Sequence, residues 1–246
     1  MKTLYIKEKL AQLDIKVDDL ILGDFDVLGD ICAKRSRRSD DPNYKKYGAF
    51  YRSNYERGIL IYQLIKKFEC SSFLEIGFGR GYSTLCAAKA FHDLGIKGRV
   101  FTVDVEFDEQ FIGALQQVFP KEWFSCIEFA KGPSNKILPM VNDKFDFVYI
   151  DGDHSYEGTK SDWEQTKNKC NKFILMDDYH LPEKFDPGIK CREAIDEINW
   201  LADDFNEPEL IIMDRRIFKD DKEVPDDQLK YGQVLFTKQS VTNDEW

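Results

Sequence analysis

The chain has 246 residues, enough for one α/β domain with an extension and a full core. Its 42% hydrophobic and 33% charged shares describe an ordinary soluble protein, and its net charge of −10 argues against a nucleic-acid surface, which needs a basic footprint. The start Met1–Lys9 lacks the apolar core of a signal peptide, no stretch approaches the roughly 20 apolar residues of a membrane helix, and Cys32, Cys70, Cys86, Cys126, Cys170 and Cys191 are scattered without a C-x-x-C pair, so a cytoplasmic protein with reduced thiols and no zinc or disulfide framework is expected.

Residues 1–70 are rich in charge and tyrosine and read as a helical extension or cap. Ile59–Ile65 has helical spacing, and Arg35–Pro42 reads as a loop. Tyr44, Tyr47, Tyr51 and Tyr55, with Arg52 among them, recur at three- and four-residue steps and form one aromatic face. That face either packs on the domain or acts as a lid that excludes water. The basic run Lys34–Arg38 is a solvated patch or a steering surface for an anion.

From residue 72 strands and helices alternate, the signature of a parallel sheet with crossover helices. Strands are expected at 73–77, 99–104, 125–130, 145–150, 172–177, 209–213 and 232–237, and helices at 81–94, 108–118, 134–141, 156–168 and 190–204. No helical pattern separates the last two strands, so they read as an antiparallel pair. The expected fold is α/β: a Rossmann-like, doubly wound, seven-stranded, mostly parallel sheet with an antiparallel last strand.

The run Phe73–Thr84 places an apolar strand, an acid, glycines at alternate positions and a helix start in immediate succession. That is a buried strand, a tight turn with open backbone, and a helix N-terminus aimed at a ligand. Gly77, Gly79 and Gly81 read G-x-G-x-G rather than the G-x-G-x-x-G of dinucleotide binders, which disfavours a nicotinamide enzyme. Glu75 at the strand end suits a cationic ligand group better than a pyrophosphate. Ligands of open parallel sheets sit beyond the carboxyl ends of the strands. Asp104, or Glu106 two residues on, could there accept the hydroxyls of a ribose.

The expected strands 145–150 and 172–177 run into Asp151-Gly-Asp-His154 and Asp177-Asp178-Tyr-His180. One helix joins them, so both acidic clusters project from the same sheet edge, on strands about 4.8 Å apart if adjacent. Asp151, Asp177 and Asp178 repel one another unless a cation intervenes, and hard oxygen ligands suit Mg²⁺, with Mn²⁺ or Ca²⁺ as options. His154, three residues beyond Asp151, can take a proton near neutral pH; His180 is the rival base, and His92 has no chemical role.

These runs resemble the class I S-adenosylmethionine-dependent methyltransferases, over about residues 55–240. Gly77-x-Gly79-x-Gly81 resembles their first motif, and seven strands with an antiparallel last one match their sheet. Gly132-Pro-Ser134-Asn135-Lys-Ile-Leu138 and Gly81-Tyr82-Ser83 are similar to runs of catechol-type O-methyltransferases. Asp151-x-x-His154 resembles the metal-dependent O-methyltransferases of macrolide sugars, in which that His is the proposed base; catechol enzymes carry a Lys there.

The resemblance implies a methyltransferase domain over 71–246. S-adenosylmethionine would meet Glu75, Gly77, Phe78, Gly79, Gly81, Tyr82, Ser83, Asp104, Ser134, Asn135 and Asp151. Ser134 and Asn135 would flank the adenine, and Ser83 the methionine carboxylate. Asp151, Asp177 and Asp178 would hold the metal, and His154 with Asp151 would be catalytic. The acceptor would be a small-molecule or sugar hydroxyl. A cephalosporin-hydroxylase-like protein and a non-catalytic S-adenosylmethionine-binding module share the fold, and a homodimer is one option for assembly.

Overall fold

A computed structural model describes residues 1–14, 28, 32, 55–180, 188–213, 218–219, 222–223 and 231–241. Tyr44, Tyr47, Tyr51, Arg52 and Lys34–Arg38 lie outside the described residues, as do the side chains of Tyr55 and His180. The strands are β1 (Lys2–Tyr5), β2 (Ser72–Ile76), β3 (Arg99–Asp104), β4 (Ile127–Lys131), β5 (Phe145–Ile150), β6 (Cys170–His180), β7 (Glu209–Ile212), the two-residue β8 (Phe218–Lys219) and β9 (Lys222–Glu223), and β10 (Tyr231–Thr237). The helices are α1 (Ile6–Gln12), α2 (Tyr55–Lys67), α3 (Tyr82–Leu94), α4 (Glu109–Gln116), α5 (Lys121–Phe124), α6 (Ser134–Ile137), α7 (Tyr156–Thr166) and α8 (Cys191–Asp196).

The main sheet has eight strands in the order β1–β7–β10–β6–β5–β2–β3–β4. The strands β2, β3, β4, β5 and β6 pair in parallel, whereas β10 runs antiparallel to both β6 and β7. The expected antiparallel pair is therefore present. The eighth strand is β1, which adds to the edge in parallel register with β7. Its four residues bury only Leu4, too little alternation to show as a strand in sequence. The expected helix 190–204 is cut short after Asp196. Asp204 turns the backbone left-handed at φ 62°, and Phe205 inserts beside Trp163 at 5.2 Å.

Side-chain alternation divides the core between the two faces. Phe73, Phe147, Tyr149, Phe173 and Leu235 face α2 and α3, with Ile59, Leu60, Ile65, Leu85 and Phe91 against them. Leu74, Ile76, Val148, Ile150, Ile174 and Phe236 face the other way, against Trp163 and Ile195. The chain order reverses between β2 and β5, and this switch point opens a crevice at the strand carboxyl ends.

Candidate functional site

The crevice is a cavity of about 760 Å³, within the size range of small-molecule sites. Ile76, Gly77 and Gly79 line it after β2, Val103, Asp104 and Val105 at β3, Gly132–Asn135 after β4, and Asp151–Ser155 after β5. Glycine is required at position 77: its φ is +93°, and a Cβ there would lie 2.0 Å from the Asp151 carbonyl oxygen. At Gly79 a Cβ would meet nothing within 4 Å, so the turn presents open backbone to the hollow. Gly81, also left-handed, starts α3, whose first turn carries no acid.

The acids on this side are held by neutral donors. Asp104 Oδ2 accepts from the N–H groups of Phe78 (2.9 Å) and Gly79 (3.2 Å), and its Oδ1 accepts from Glu106 N–H (3.2 Å). Asp104 thus organises the glycine turn while lining the cavity. Glu75 points to the opposite face of the sheet, alongside Phe73, and is fully buried. It accepts hydrogen bonds from Thr84 Oγ1 and from Thr102 Oγ1 at 2.7 Å, while its Oε1 has no partner among the described residues. Burial pushes its carboxyl up to about 8 against the pull of the two threonines. Glu75 therefore braces the start of α3 from below and is not among the cavity lining. Phe78, Tyr82 and Ser83 are buried with it, Phe78 against Phe107 and Phe129, each at 5.5 Å between ring centroids.

Ser134 and Asn135 open α6 at the far end of the cavity. Ser134 Oγ donates to Asp162 Oδ1 at 2.5 Å. Asp162, on α7, is 2% exposed and lines the same cavity; burial pushes its carboxyl up to about 6. Sequence reading passes over it because mid-helix acids are ordinary surface residues.

The ends of β5 and β6 are different. Ile150 pairs with Met176, so Asp151 and Asp177 emerge side by side. Asp177 Oδ2 accepts from Arg57 Nη1 at 2.9 Å and from Tyr149 Oη at 2.5 Å. Gln233 Nε2 donates to Tyr149 Oη at 3.3 Å. Arg57 Nη1 also lies 3.6 Å from Asp151 Oδ2. His154 Nε2 stands between Asp151 Oδ1 (3.4 Å) and Asp178 Oδ2 (3.2 Å). Its loop is fastened by Lys190 N–H to the His154 carbonyl at 2.7 Å.

Burial and the neighbouring Asp177 push the Asp151 carboxyl up to about 6. Burial works against the charge on His154, but Asp151 and Asp178 outweigh it and lift the imidazole to about 9. Asp151, His154 and Asp178 each offer a ligand atom within 4.8 Å of the others, a set that can hold a divalent cation. Asp177 is engaged instead with Arg57 and Tyr149. Arg57 and Tyr149 were not singled out in sequence, and no local spacing marks them.

A family model described as "Methyltransferase domain" matches residues 74–179. Caffeoyl-CoA O-methyltransferase 2 of Petunia hybrida is 30% identical over 104 residues, 40% of this chain and 41% of the relative. Caffeoyl-CoA O-methyltransferase 3 of Nicotiana tabacum matches to the same extent, so the chain spans about two fifths of the length of these curated relatives. Cofactor-bound Rv0187 from MTB superposes with a TM-score of 0.62 at 18% identity, covering 96% of this chain and 98% of the other. The Bacillus cereus O-methyltransferase in complex with SAH gives a TM-score of 0.59 at 18% identity over 90% and 94% of the two chains. The fold of this chain is that of these proteins. No helix among the described residues is long and apolar enough to cross a membrane.

Proposed function

We propose, from the premise that residues 74–179 form a methyltransferase domain on the class I fold, that the chain is an S-adenosylmethionine-dependent O-methyltransferase that uses a divalent cation. The observation that carries this reading is Asp151, which lines the cavity and also belongs to the Asp151–His154–Asp178 cluster. Asp151, with His154 beside it in the lining, thus joins the hollow to a cation-seeking cluster. That juxtaposition is what methyl transfer requires, since donor carbon and acceptor oxygen must meet in line.

The residues present fit the methyl donor. The N-terminus of α3, free of acids, suits the methionine carboxylate, and the open backbone at Gly79 admits close approach. Asp104 faces the cavity where ribose hydroxyls would lie, with Ser134 and Asn135 beyond it for the adenine. The residues also fit a hard divalent ion such as Mg²⁺, with Mn²⁺ or Ca²⁺ as alternatives, held by Asp151 and Asp178 with His154 beside them. Such an ion lowers the pKa of a hydroxyl that it touches.

The protein's own part is to hold and move a proton. Arg57 and Tyr149 fix Asp177, which keeps the end of β6 against Asp151. His154 lies in the cavity between Asp151 and Asp178 and carries a proton while it is paired with them; a cation held by those aspartates would weaken that pairing and favour the neutral imidazole, which is placed to receive the acceptor's proton. The acceptor in this reading is a hydroxyl of a small molecule or sugar. The buried free thiols suit a cytoplasmic setting.

Calorimetry with S-adenosylmethionine, with and without Mg²⁺, tests the donor; absence of binding in both overturns it. Asp151→Ala should abolish Mg²⁺-dependent transfer to a panel of hydroxyl acceptors. Undiminished transfer by that variant in excess chelator overturns the cation's role.

A further inference from the structure

We propose that Asp162 reads the exocyclic amine of the cofactor's purine and so makes the site selective for adenine over 6-oxo purines. This deepens the S-adenosylmethionine reading and rests on it. The argument begins with orientation. The methyl group has to lie near Asp151 at the end of β5, and the ribose near Asp104 at the end of β3, two strands away. The base then continues toward the loop after β4, where Val105 and Pro133 line the cavity. Val105 is 66% exposed, an apolar surface waiting for a flat partner. The polar edge of that compartment is Ser134, Asn135 and Asp162.

Asp162 is out of place as a structural residue. It is almost completely buried on α7, yet no cation stands beside it among the described residues. Ser134 Oγ, on Oδ1, is its one hydrogen-bond donor among the described residues. A buried carboxylate with a single neutral donor is costly to keep, and its lone pairs call for further N–H groups. A Cβ placed on Gly152 would lie 2.8 Å from Ile76 Cγ2 and 3.0 Å from Asp162 Oδ2, so the glycine leaves that oxygen uncrowded beside the cavity wall. An amino group on the purine supplies the missing donor, whereas a 6-oxo group would set oxygen against oxygen. Burial lifts this carboxyl to about 6, so it is ionised and an acceptor at neutral pH. Sites that pair a buried polar group with one ligand group reject ligands lacking it more strongly than apolar pockets reject a size change.

The test compares S-adenosylhomocysteine with S-inosylhomocysteine by calorimetry on wild type and Asp162→Asn. Wild type should prefer the adenosyl ligand on the order of tenfold or more. In Asp162→Asn the carboxamide oxygen still accepts from Ser134 and its NH₂ faces the base, so the preference should shrink about tenfold or reverse. An unchanged ratio in that variant overturns the proposal, and so does a wild type that binds both alike, which needs no variant to fold. If the wild type binds neither ligand, it is the S-adenosylmethionine reading itself that fails.

Discussion

The two acid-bearing corners of the sheet are built on opposite principles. At β2 and β3, Glu75 Oε2 and Asp104 are held by hydroxyls and backbone N–H groups, with no cation in contact among the described residues. At β5 and β6, Asp151, Asp177 and Asp178 are satisfied by Arg57 and His154, whose positive charges offset crowded negative ones. Neutral donors shape a carboxylate for a neutral ligand group. Acids that recruit every nearby cation are a place where one more cation is welcome. The corners differ in chemistry although they share one crevice, and each can be perturbed separately.

The largest effect is expected at Glu75. Its carboxyl titrates near 8 in the fold against 4.5 ordinarily, and burial is the cause. Between those pH values the unfolded chain has lost the proton while the fold retains it, so stability falls as pH rises through that window. Below 4.5 the group contributes nothing; above 8 the whole penalty is present, roughly 4–5 kcal/mol. Glu75→Gln removes the ionisation. Urea unfolding at pH 5 and pH 8.5 should show the variant gaining roughly 4 kcal/mol relative to wild type across the interval. Parallel curves for the two proteins would mean that Glu75 ionises freely in the fold.

Arg57→Met comes next. It strips the cation from Asp177, which is 1% exposed, and breaking such a buried pair costs about 3 kcal/mol. The loss should be partly recovered by millimolar Mg²⁺, because a bound cation replaces the missing charge, whereas Glu75→Gln should ignore Mg²⁺. A melting temperature indifferent to Mg²⁺ in Arg57→Met would erase the electrostatic contrast between the corners. Asp178→Asn keeps a residue tolerant of the left-handed backbone at φ 56° and removes one ligand charge. Mn²⁺ affinity by electron paramagnetic resonance should fall about hundredfold, with S-adenosylhomocysteine affinity unchanged. Equal Mn²⁺ binding by variant and wild type would remove Asp178 from the cation site.

How much of this was legible in sequence follows from where each contact lies along the chain. The glycine turn was, because left-handed backbone and a 2.0 Å approach to Asp151 leave no other residue type at Gly77. Asp151 and His154 were, because three residues of loop bring them together. The expectation that Asp151, Asp177 and Asp178 share one ion rests on two neighbouring strands ending in crowded acids, a pattern that does not say which partner each acid takes. Here Asp177 meets Arg57 and Tyr149 while Asp178 meets His154. Arg57 lies 120 positions from Asp177 and Asp162 lies 28 from Ser134, separations at which no spacing rule operates. The edge strand β1 was equally silent, since its partner β7 stands at the other end of the chain.

Asp104→Asn should have the smallest effect and discriminates most finely. The carboxylate already takes three N–H donors, out of about four lone-pair sites, so capacity for a ribose hydroxyl remains. An asparagine has one acceptor oxygen and must release at least one of those donors. S-adenosylhomocysteine affinity should therefore fall about tenfold by calorimetry, with Mn²⁺ binding untouched. The same variant measured against the 2′,3′-dideoxy analogue separates two causes. If Asp104 acts only by shaping the turn at Phe78 and Gly79, both ligands weaken alike. If it also receives ribose hydroxyls, the analogue is spared, and the cycle yields a coupling of about 1 kcal/mol. We expect the second result, because an acid needed only to fasten a turn has no reason to line the cavity as well.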